Sequence, residues 1–134
     1  ENMNMKKLLL FLVIAVSGLT AFAATKVTEL NDKDADVVLN EAKRPFVLDF
    51  SATWCGPCRV FKPTFEAVAE EMDGKVDFYS VDVDRCPKFS AAMKIQAVPT
   101  ILIYNPKNKK SKVFTGVVSK DEFVSAIKAV TAEK

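Results

Sequence analysis

Apolar and polar positions along the chain are spaced alternately as in a helix and as in a strand. Short apolar runs, typical of strands, are followed by segments in which apolar residues recur at helical spacing. The predicted strands are 27–30, 46–52, 76–83, 99–104 and 111–116. The predicted helices are 31–42, 57–72, 88–94 and 120–130. The pattern therefore predicts the order β-α-β-α-β-α-β-β-α.

The run at residues 46–52 indicates how these elements are arranged. It is almost continuously apolar and contains one acid, Asp49. Such a run is typical of a central strand that is buried on both faces. Three successive strand–helix units favour parallel strands with helices on both faces, and the closing hairpin adds antiparallel strands. We predict a single α/β domain with a central mixed β-sheet flanked by helices on both faces.

The N-terminal residues have the pattern of a secretory signal. A lysine pair at 6–7 precedes an uninterrupted apolar run at 8–16, and Ala-Phe-Ala at 21–23 offers small residues to a signal peptidase. We expect residues 1–23 to be a signal peptide and residues 24–134 to be the mature domain. The protein would then be exported, into the periplasm if the cell is Gram-negative. The alternative is an uncleaved membrane anchor, but a comfortable span needs about 20 apolar residues.

Composition narrows the chemistry that is open to the domain. The 134 residues include no histidine, which excludes a Ser-His-Asp triad and a Cys-His pair. Three cysteines are one too few for a closed Cys₄ zinc site, so we expect no metal. A formal net charge of +2 argues against nucleic acid as a partner, and we expect membrane contact only through the leader. Asp82 and Asp84 are interpreted as solvated acids at a strand end.

The strongest chemical signal is the segment Trp54-Cys55-Gly56-Pro57-Cys58, where the buried strand gives way to a helix. The start of a helix carries free N–H groups and a partial positive charge, which stabilise a thiolate. We assign Cys55, at the cap position and exposed, as the nucleophile. Cys58 lies one turn into the helix and is more buried, so it can resolve a mixed disulfide formed at Cys55. Pro57 stiffens the loop between the two cysteines.

Spacing alone leaves alternatives open for the cysteines and for Asp49. The cysteine pair could be two buried cysteines that meet by chance, or half of a zinc site, although a second CxxC is missing. The strand-to-helix context favours redox chemistry. Asp49 would be costly to bury as an ion, and burial should raise its pKa. The alternative for Asp49 is an edge position from which the carboxylate reaches solvent.

Together these residues resemble the thioredoxin family. Trp-Cys-Gly-Pro-Cys is the active-site motif of that family, and Asp49 is in the place of its buried aspartate. Pro63 matches the proline of the active-site helix, and Val98-Pro99 matches the cis-proline loop. The resemblance covers roughly residues 28–130 and implies the thioredoxin fold.

The resemblance also implies roles for the matching residues. Cys55 and Cys58 would form a redox-active disulfide, so no cofactor is needed. Gly56 and Pro57 would complete the catalytic motif. Asp49 would exchange a proton with Cys58 through a water molecule.

The same resemblance implies a surface for substrate. Pro99 would follow a cis peptide bond, although a proline at the start of a strand is common without one. The backbone of Val98 would then lie beside Cys55 and pair with an extended substrate segment. Trp54, Ala97 and Val98 would supply the apolar contacts.

Leader and resemblance together predict an exported thiol–disulfide oxidoreductase that reduces disulfides in extracytoplasmic proteins. The Gly-Pro dipeptide between the cysteines resembles the reducing branch of the family. The sequence contains no dinucleotide fingerprint, so we expect electrons to come from a membrane-embedded thiol donor, and we expect a monomer. The alternatives are a periplasmic thiol oxidant or isomerase, a specialised reductant for cytochrome c maturation, and a binding module without redox turnover.

A few positions depart from the family pattern. Ser51 stands where many thioredoxins have a second tryptophan, and Ser80 stands where a lysine often neighbours the buried aspartate. Without that cation, the pKa of Asp49 should be higher. The turn at 105–110 has no glycine. Cys86 is expected to be a free, semi-buried thiol, and the alternative is a regulatory or intermolecular role.

Overall fold

The structure, a computed structural model, describes residues 25–133. The leader predicted at 1–23 lies outside the described residues. The strands are β1 (Val27–Glu29), β2 (Phe46–Ser51), β3 (Asp77–Asp82), β4 (Thr100–Asn105) and β5 (Lys110–Thr115). The helices are α1 (Asp32–Glu41), α2 (Gly56–Glu71), α3 (Pro87–Ala92) and α4 (Lys120–Thr131). The predicted order of elements is confirmed, and their ends shift by one or two residues. Between residues 25 and 133, no helix has the length and apolar character that crossing a membrane requires.

The strands form a mixed sheet in the order β1-β3-β2-β4-β5. β1 and β2 run parallel to β3, whereas β4 is antiparallel to both β2 and β5. The predicted mixed α/β sheet is confirmed, and β2 is its central strand. Because β2 leads through a short loop into α2, that loop lies at the carboxyl edge of the parallel strands. This is where ligand sites of such sheets are usually built.

Side chains of β2 face two hydrophobic layers alternately. Phe46, Leu48 and Phe50 pack in the layer that includes α1 and α3. Val47 packs in the layer that includes α2 and α4, and Asp49 faces the same side. Helices therefore cover both faces of the sheet, as the sequence predicts.

An aromatic cluster fixes α2 against the sheet. The rings of Phe61 and Phe65 lie with centroids 5.4 and 6.0 Å from that of Phe123 in α4. Phe65 also meets Phe78 of β3 edge to face, with centroids 5.4 Å apart. Aromatic pairs of this kind add to the stabilisation from burial alone. The cluster holds the start of α2 in a defined place at the end of β2.

Three helices begin at residues whose side chains accept a backbone hydrogen bond. Asn31, Cys55 and Ser119 each accept from the N–H three residues further on. α3 differs, because its N-cap residue Cys86 makes no such bond. Instead, Oδ1 of Asp32 in α1 accepts from the backbone N–H of Phe89 at 2.9 Å. A residue distant in sequence thus satisfies one of the free N–H groups at the start of α3.

Asp32→Ala is expected to lower the free energy of unfolding by about 1 kcal/mol, because the Phe89 N–H loses its partner. Asp32→Asn keeps a side-chain oxygen and is the matched control, with a loss below half of that. Urea unfolding followed by circular dichroism measures both. Equal losses in the two variants would show that charge, and not the hydrogen bond, supplies the stabilisation.

The turn between β4 and β5 places a lysine in the left-handed region of backbone space. Lys109 has a φ of 61°, and its N–H donates to the Asn105 carbonyl at 2.9 Å. A side chain with a Cβ costs about 1 kcal/mol in this conformation, and glycine does not carry that cost. The sequence has no glycine in this turn, so the left-handed conformation of Lys109 lowers the stability of the fold.

Lys109→Gly is therefore expected to raise the free energy of unfolding by about 0.5–1 kcal/mol. Lys110→Gly, one residue further on in β5, is the control and should lower it, because glycine weakens an extended strand. Thermal unfolding of both variants checks the pair. Destabilisation by Lys109→Gly would contradict the left-handed conformation of this residue.

Candidate active site

Cys55 and Cys58 lie at the junction of β2 and α2. Cys55 is the N-cap of α2, and its Sγ accepts a hydrogen bond from the backbone N–H of Cys58 at 3.2 Å. The two cysteines are joined in a disulfide, with Cα atoms 5.3 Å apart. The free N–H groups and the partial positive charge of the helix start therefore converge on Sγ of Cys55. Once the disulfide is reduced, they favour the thiolate at this atom.

The structure corrects one expectation for Cys55, which is not exposed. Only 4% of its surface is accessible, compared with 5% for Cys58. Its Sγ faces the first turn of α2. Ala52 and the two cysteines form one buried cluster, and Val98 packs against this cluster from the neighbouring loop. The carbonyl oxygen of Val98 lies 3.7 Å from Sγ of Cys55. A substrate must therefore reach the sulfur beside the Val98 backbone.

The three residues expected to bind substrate come together at one groove. The Val98–Pro99 peptide bond is cis. Ala97 and Val98 line a groove of about 370 Å³ together with Trp54 and, among others, Ile95. Val98 lines this groove and also packs against the cluster that contains the two cysteines, so the groove adjoins the cysteine pair. Its walls are mainly apolar and can hold an extended segment without demanding a particular sequence.

Asp84 holds Trp54 in place, a contact that the sequence did not predict. The indole is 68% exposed, and its Nε1 donates to Oδ2 of Asp84 at 2.8 Å. The backbone N–H of Asp84 in turn donates to Oδ1 of Asp82 at 2.9 Å. Asp84 is exposed to solvent, as expected, and in addition accepts the hydrogen bond from Trp54, which the sequence did not predict. Its position just after β3 was the available signal, because the carboxyl ends of adjacent parallel strands meet at one edge.

Asp49 is buried in the middle of the sheet. It is 5% exposed, and its Oδ1 has no hydrogen-bond partner among residues 25–133. Burial raises the pKa of this carboxyl from 3.8 to about 7. The alternative of an edge acid was wrong, because β2 is the central strand. At neutral pH this carboxyl can both hold and release a proton.

A cleft of about 360 Å³ lies between Asp49 and the second cysteine. Its lining includes Asp49, Ser80 and Cys58, with Arg59 and Lys62 of α2 among the remaining residues. Ser80 is the direct neighbour of Asp49 in the register of β2 and β3. A neutral, hydroxyl-bearing residue is therefore the neighbour of Asp49 on β3, and burial is the cause of the raised pKa of Asp49. The cleft offers space for water between the carboxyl and Cys58.

The remaining two residues of the motif form the first turn of α2. Gly56 and Pro57 precede Cys58 there. Pro57 lacks an N–H group, which is tolerated at this position because the first N–H groups of a helix have no partner within it. A Cβ added at Gly56 would meet only Nη2 of Arg59, at 3.9 Å. The Arg59 side chain thus lies close to the backbone of the motif.

Cys86 is free and fully buried, not semi-buried as expected. Its thiol donates to the Leu30 carbonyl at 3.1 Å, within the layer that includes α1 and α3. Burial, and then the nearby charge of Asp32, raise the pKa of this thiol. Cys86 is therefore a neutral core residue. Within the part of the chain that the structure describes, no three or more cysteine, aspartate or glutamate side chains gather as metal ligands.

Comparison with known proteins identifies the family. A family model for thioredoxin matches residues 26–129. A thioredoxin of Borreliella burgdorferi is 41% identical over 85 residues, which cover 63% of this chain and 72% of that protein. A chloroplastic M-type thioredoxin of Spinacia oleracea is 30% identical over 105 residues, which cover 78% of this chain and 58% of that protein. The chain thus spans a little more than half the length of the spinach protein.

Solved structures show the same fold. A chloroplastic thioredoxin z has a TM-score of 0.73 and 31% identity, covering 80% of this chain and 96% of the other. A thioredoxin of Malassezia sympodialis has a TM-score of 0.69 and 29% identity, covering 81% of this chain and 94% of the other. Thioredoxins act on disulfide-containing proteins through a redox-active cysteine pair and use no cofactor. This chain belongs to the thioredoxin family, and its Cys55–Cys58 pair makes it a disulfide oxidoreductase.

Proposed function

We propose that this thioredoxin reduces disulfides in extracytoplasmic proteins. The position of one atom is the main support for the chemistry. Sγ of Cys55 lies at the start of α2, where a thiolate is stabilised, and also 3.7 Å from the Val98 carbonyl beside the groove. The nucleophile and the peptide-binding surface thus coincide. The leader pattern at 1–23 supports export.

The reaction begins with the reduced protein. The Cys55 thiolate attacks one sulfur of the substrate disulfide, forms a mixed disulfide and releases the other substrate sulfur as a thiolate. Cys58 then loses its proton and attacks the sulfur of Cys55. The Cys55–Cys58 disulfide forms again, and the second substrate thiol leaves. Two electrons pass to the substrate, and the protein ends in the oxidised state that the structure represents.

Asp49 serves the second step by accepting the proton of Cys58. Both residues line the same cleft, which has space for a bridging water. A pKa of about 7 leaves a large fraction of the carboxyl ready to accept a proton at neutral pH. No hydrogen bond from a described residue fixes its Oδ1, so this oxygen is free to bind such a water. Asp49 is therefore the proton acceptor in this proposal.

The groove beside Cys55 holds the substrate segment. The cysteine of the segment lies over Sγ of Cys55, and its main chain pairs with the backbone of Val98 next to Pro99. Trp54 and Ala97 contact the apolar side chains of the segment. Main-chain pairing and a mainly apolar wall accept many sequences, which suits an enzyme with several protein substrates.

Renewal of the dithiol form requires an electron donor. In the compartment that the leader predicts, a membrane-embedded protein with its own cysteine pair would supply electrons by thiol exchange. The sequence has no dinucleotide-binding fingerprint through which the chain could take electrons directly. We propose that the protein works with this donor as a monomer.

The reduction potential of the Cys55–Cys58 pair tests the direction of the reaction. We would equilibrate the protein with defined dithiothreitol buffers, using a Cys86→Ala variant so that only one pair titrates. A potential of about −270 mV is expected for a reductant. A potential of about −120 mV would identify a strong oxidant and contradict the proposed direction.

The N-terminus of the protein in cells tests the proposed location. When the full chain is expressed, we expect the protein outside the cytoplasm to have lost residues 1–23 and to begin at Ala24. A chain that keeps residues 1–23 in the membrane fraction would support the anchor instead. An unprocessed chain in the cytoplasm would contradict export. A Lys6→Glu, Lys7→Glu double variant, which removes the positive region of the leader, should reduce processing.

A further inference from the structure

The rim of the active site includes an arginine that the reaction above does not use. Nη1 of Arg59 donates to the Thr53 carbonyl at 2.9 Å. Its Nη2 lies 3.9 Å from the point where a Cβ of Gly56 would be. The hydrogen bond and this proximity place the guanidinium beside the backbone that flanks Cys55. The Arg59 residue is exposed, so the group also faces approaching molecules.

The charge of Arg59 has no acidic partner within residues 25–133. Two nearby cations do have one, since Lys62 is 3.9 Å from Glu66 and Arg85 is 2.7 Å from Glu29. Arg59 makes a single side-chain hydrogen bond among the described residues, and its acceptor is a neutral carbonyl. A guanidinium has five N–H donors in a planar fork, which suits a carboxylate. Most of these donors are free for a ligand.

The opposite charge lies on another side of the cysteine pair. Asp84 holds Trp54 at the groove, whereas Arg59 lines the separate cleft that leads to Asp49. Acids such as Glu66 and Asp82 also line that cleft, but the guanidinium of Arg59 is hydrogen-bonded to the backbone beside Cys55. A substrate segment bound at Cys55 therefore meets the negative charge of Asp84 on the tryptophan side and the positive charge of Arg59 beside α2. Such a difference in sign can select among substrates by their charges and can orient them.

We propose that Arg59 is a specificity-determining residue that favours substrates with a carboxylate next to the cysteine attacked by Cys55. This inference rests on the proposed function, because it concerns the choice among disulfide substrates. An acidic neighbour of that cysteine pairs with the guanidinium, and a basic neighbour is repelled by it. An exposed pair of this kind changes kcat/KM by about three- to fivefold, and salt weakens the effect.

The test uses three disulfide peptides that differ only in the residue following the attacked cysteine, which is Glu, Gln or Lys. Their kcat/KM is measured with the protein as purified from cells and dithiothreitol as electron donor. We expect kcat/KM to fall in the order Glu, Gln, Lys. At low salt the kcat/KM of the Glu peptide should exceed that of the Lys peptide by about tenfold, and at about 0.5 M salt by much less. Arg59→Gln should bring this ratio close to one, and Arg59→Glu should invert it. Lys75→Gln removes an equal charge far from the motif and should keep the ratio.

Ratios between peptides separate this role from an effect on the nucleophile. A cation near Cys55 also favours its thiolate, but that effect changes the rates of all three peptides alike. Equal rates with the unaltered protein, or an unchanged ratio in Arg59→Gln, would overturn the inference and leave the proposed function intact. Failure to reduce any of the peptides would contradict the proposed function itself.

Discussion

Replacing Cys55 by serine is expected to abolish disulfide reduction, with a loss of at least about 10³-fold in turnover. A hydroxyl in place of the thiol cannot attack the substrate disulfide or form the mixed disulfide. Cys58→Ser should abolish turnover too, but by a different route. Cys55 still attacks, and the substrate then stays bound to it because the resolving thiol is missing.

Mass spectrometry of the two variants after incubation with a disulfide-containing protein distinguishes these outcomes. The Cys58→Ser variant should carry one substrate chain as a covalent adduct that dithiothreitol releases, and the Cys55→Ser variant should carry none. Cys86→Ser is the matched control, because this thiol is buried in the core, and it should keep turnover without an adduct. An adduct on the Cys55→Ser variant would reverse the roles assigned to the two cysteines.

Asp49→Asn is expected to stabilise the protein above neutral pH. The carboxyl ionises near pH 3.8 in the unfolded chain and near pH 7 in the folded one. Between these values the folded state holds a proton that the unfolded state has lost, so the free energy of unfolding falls as pH rises. The stability that protonated Asp49 contributes is fully present below its pKa in the unfolded chain, 3.8, and is lost above its pKa in the folded chain, about 7. The difference of about three pKa units corresponds to about 4 kcal/mol.

Urea unfolding of the two proteins at about pH 4 and about pH 8 measures this difference. The Asn variant should gain stability relative to the original protein as pH rises, by up to about 4 kcal/mol. The control is Asp36→Asn on the exposed face of α1, which should show no such gain. If the stability of the Asp49→Asn variant runs parallel to that of the original protein across pH, the pKa of Asp49 is not raised.

The same variant should lose activity, because the proton acceptor of the second step is gone. We expect resolution of the mixed disulfide to slow by at least about tenfold. Single-turnover experiments would show the mixed disulfide accumulating before it decays. The pH dependence of this step should also lose its inflection near pH 7. If formation of the mixed disulfide slows instead, Asp49 acts on Cys55 and not on Cys58.

The spacing of apolar residues in the sequence was enough to predict the order of elements and the class of fold. Periodicity reports which side of an element is buried, and tertiary packing respects it. The nearly continuous apolar run of 46–52 therefore predicted a central strand, and the structure confirms that Phe46–Ser51 occupies this place. The cysteine motif was equally readable, because a cap, a first turn and a cysteine pair are all local features.

Only the tertiary structure decided which distant residues meet at this motif. Trp54 and Asp84 are 30 positions apart, and Cys55 and Val98 are 43 apart. Periodicity cannot specify such partners, because it names a buried face but not what covers it. The burial of Cys55 was missed for this reason, since a neighbouring loop covers it. Periodicity also could not predict the strand order β1-β3-β2-β4-β5, because this order depends on how the layers of the fold pack together. The sequence alone therefore determined the class of fold and the chemistry of the motif, and packing decided its surroundings.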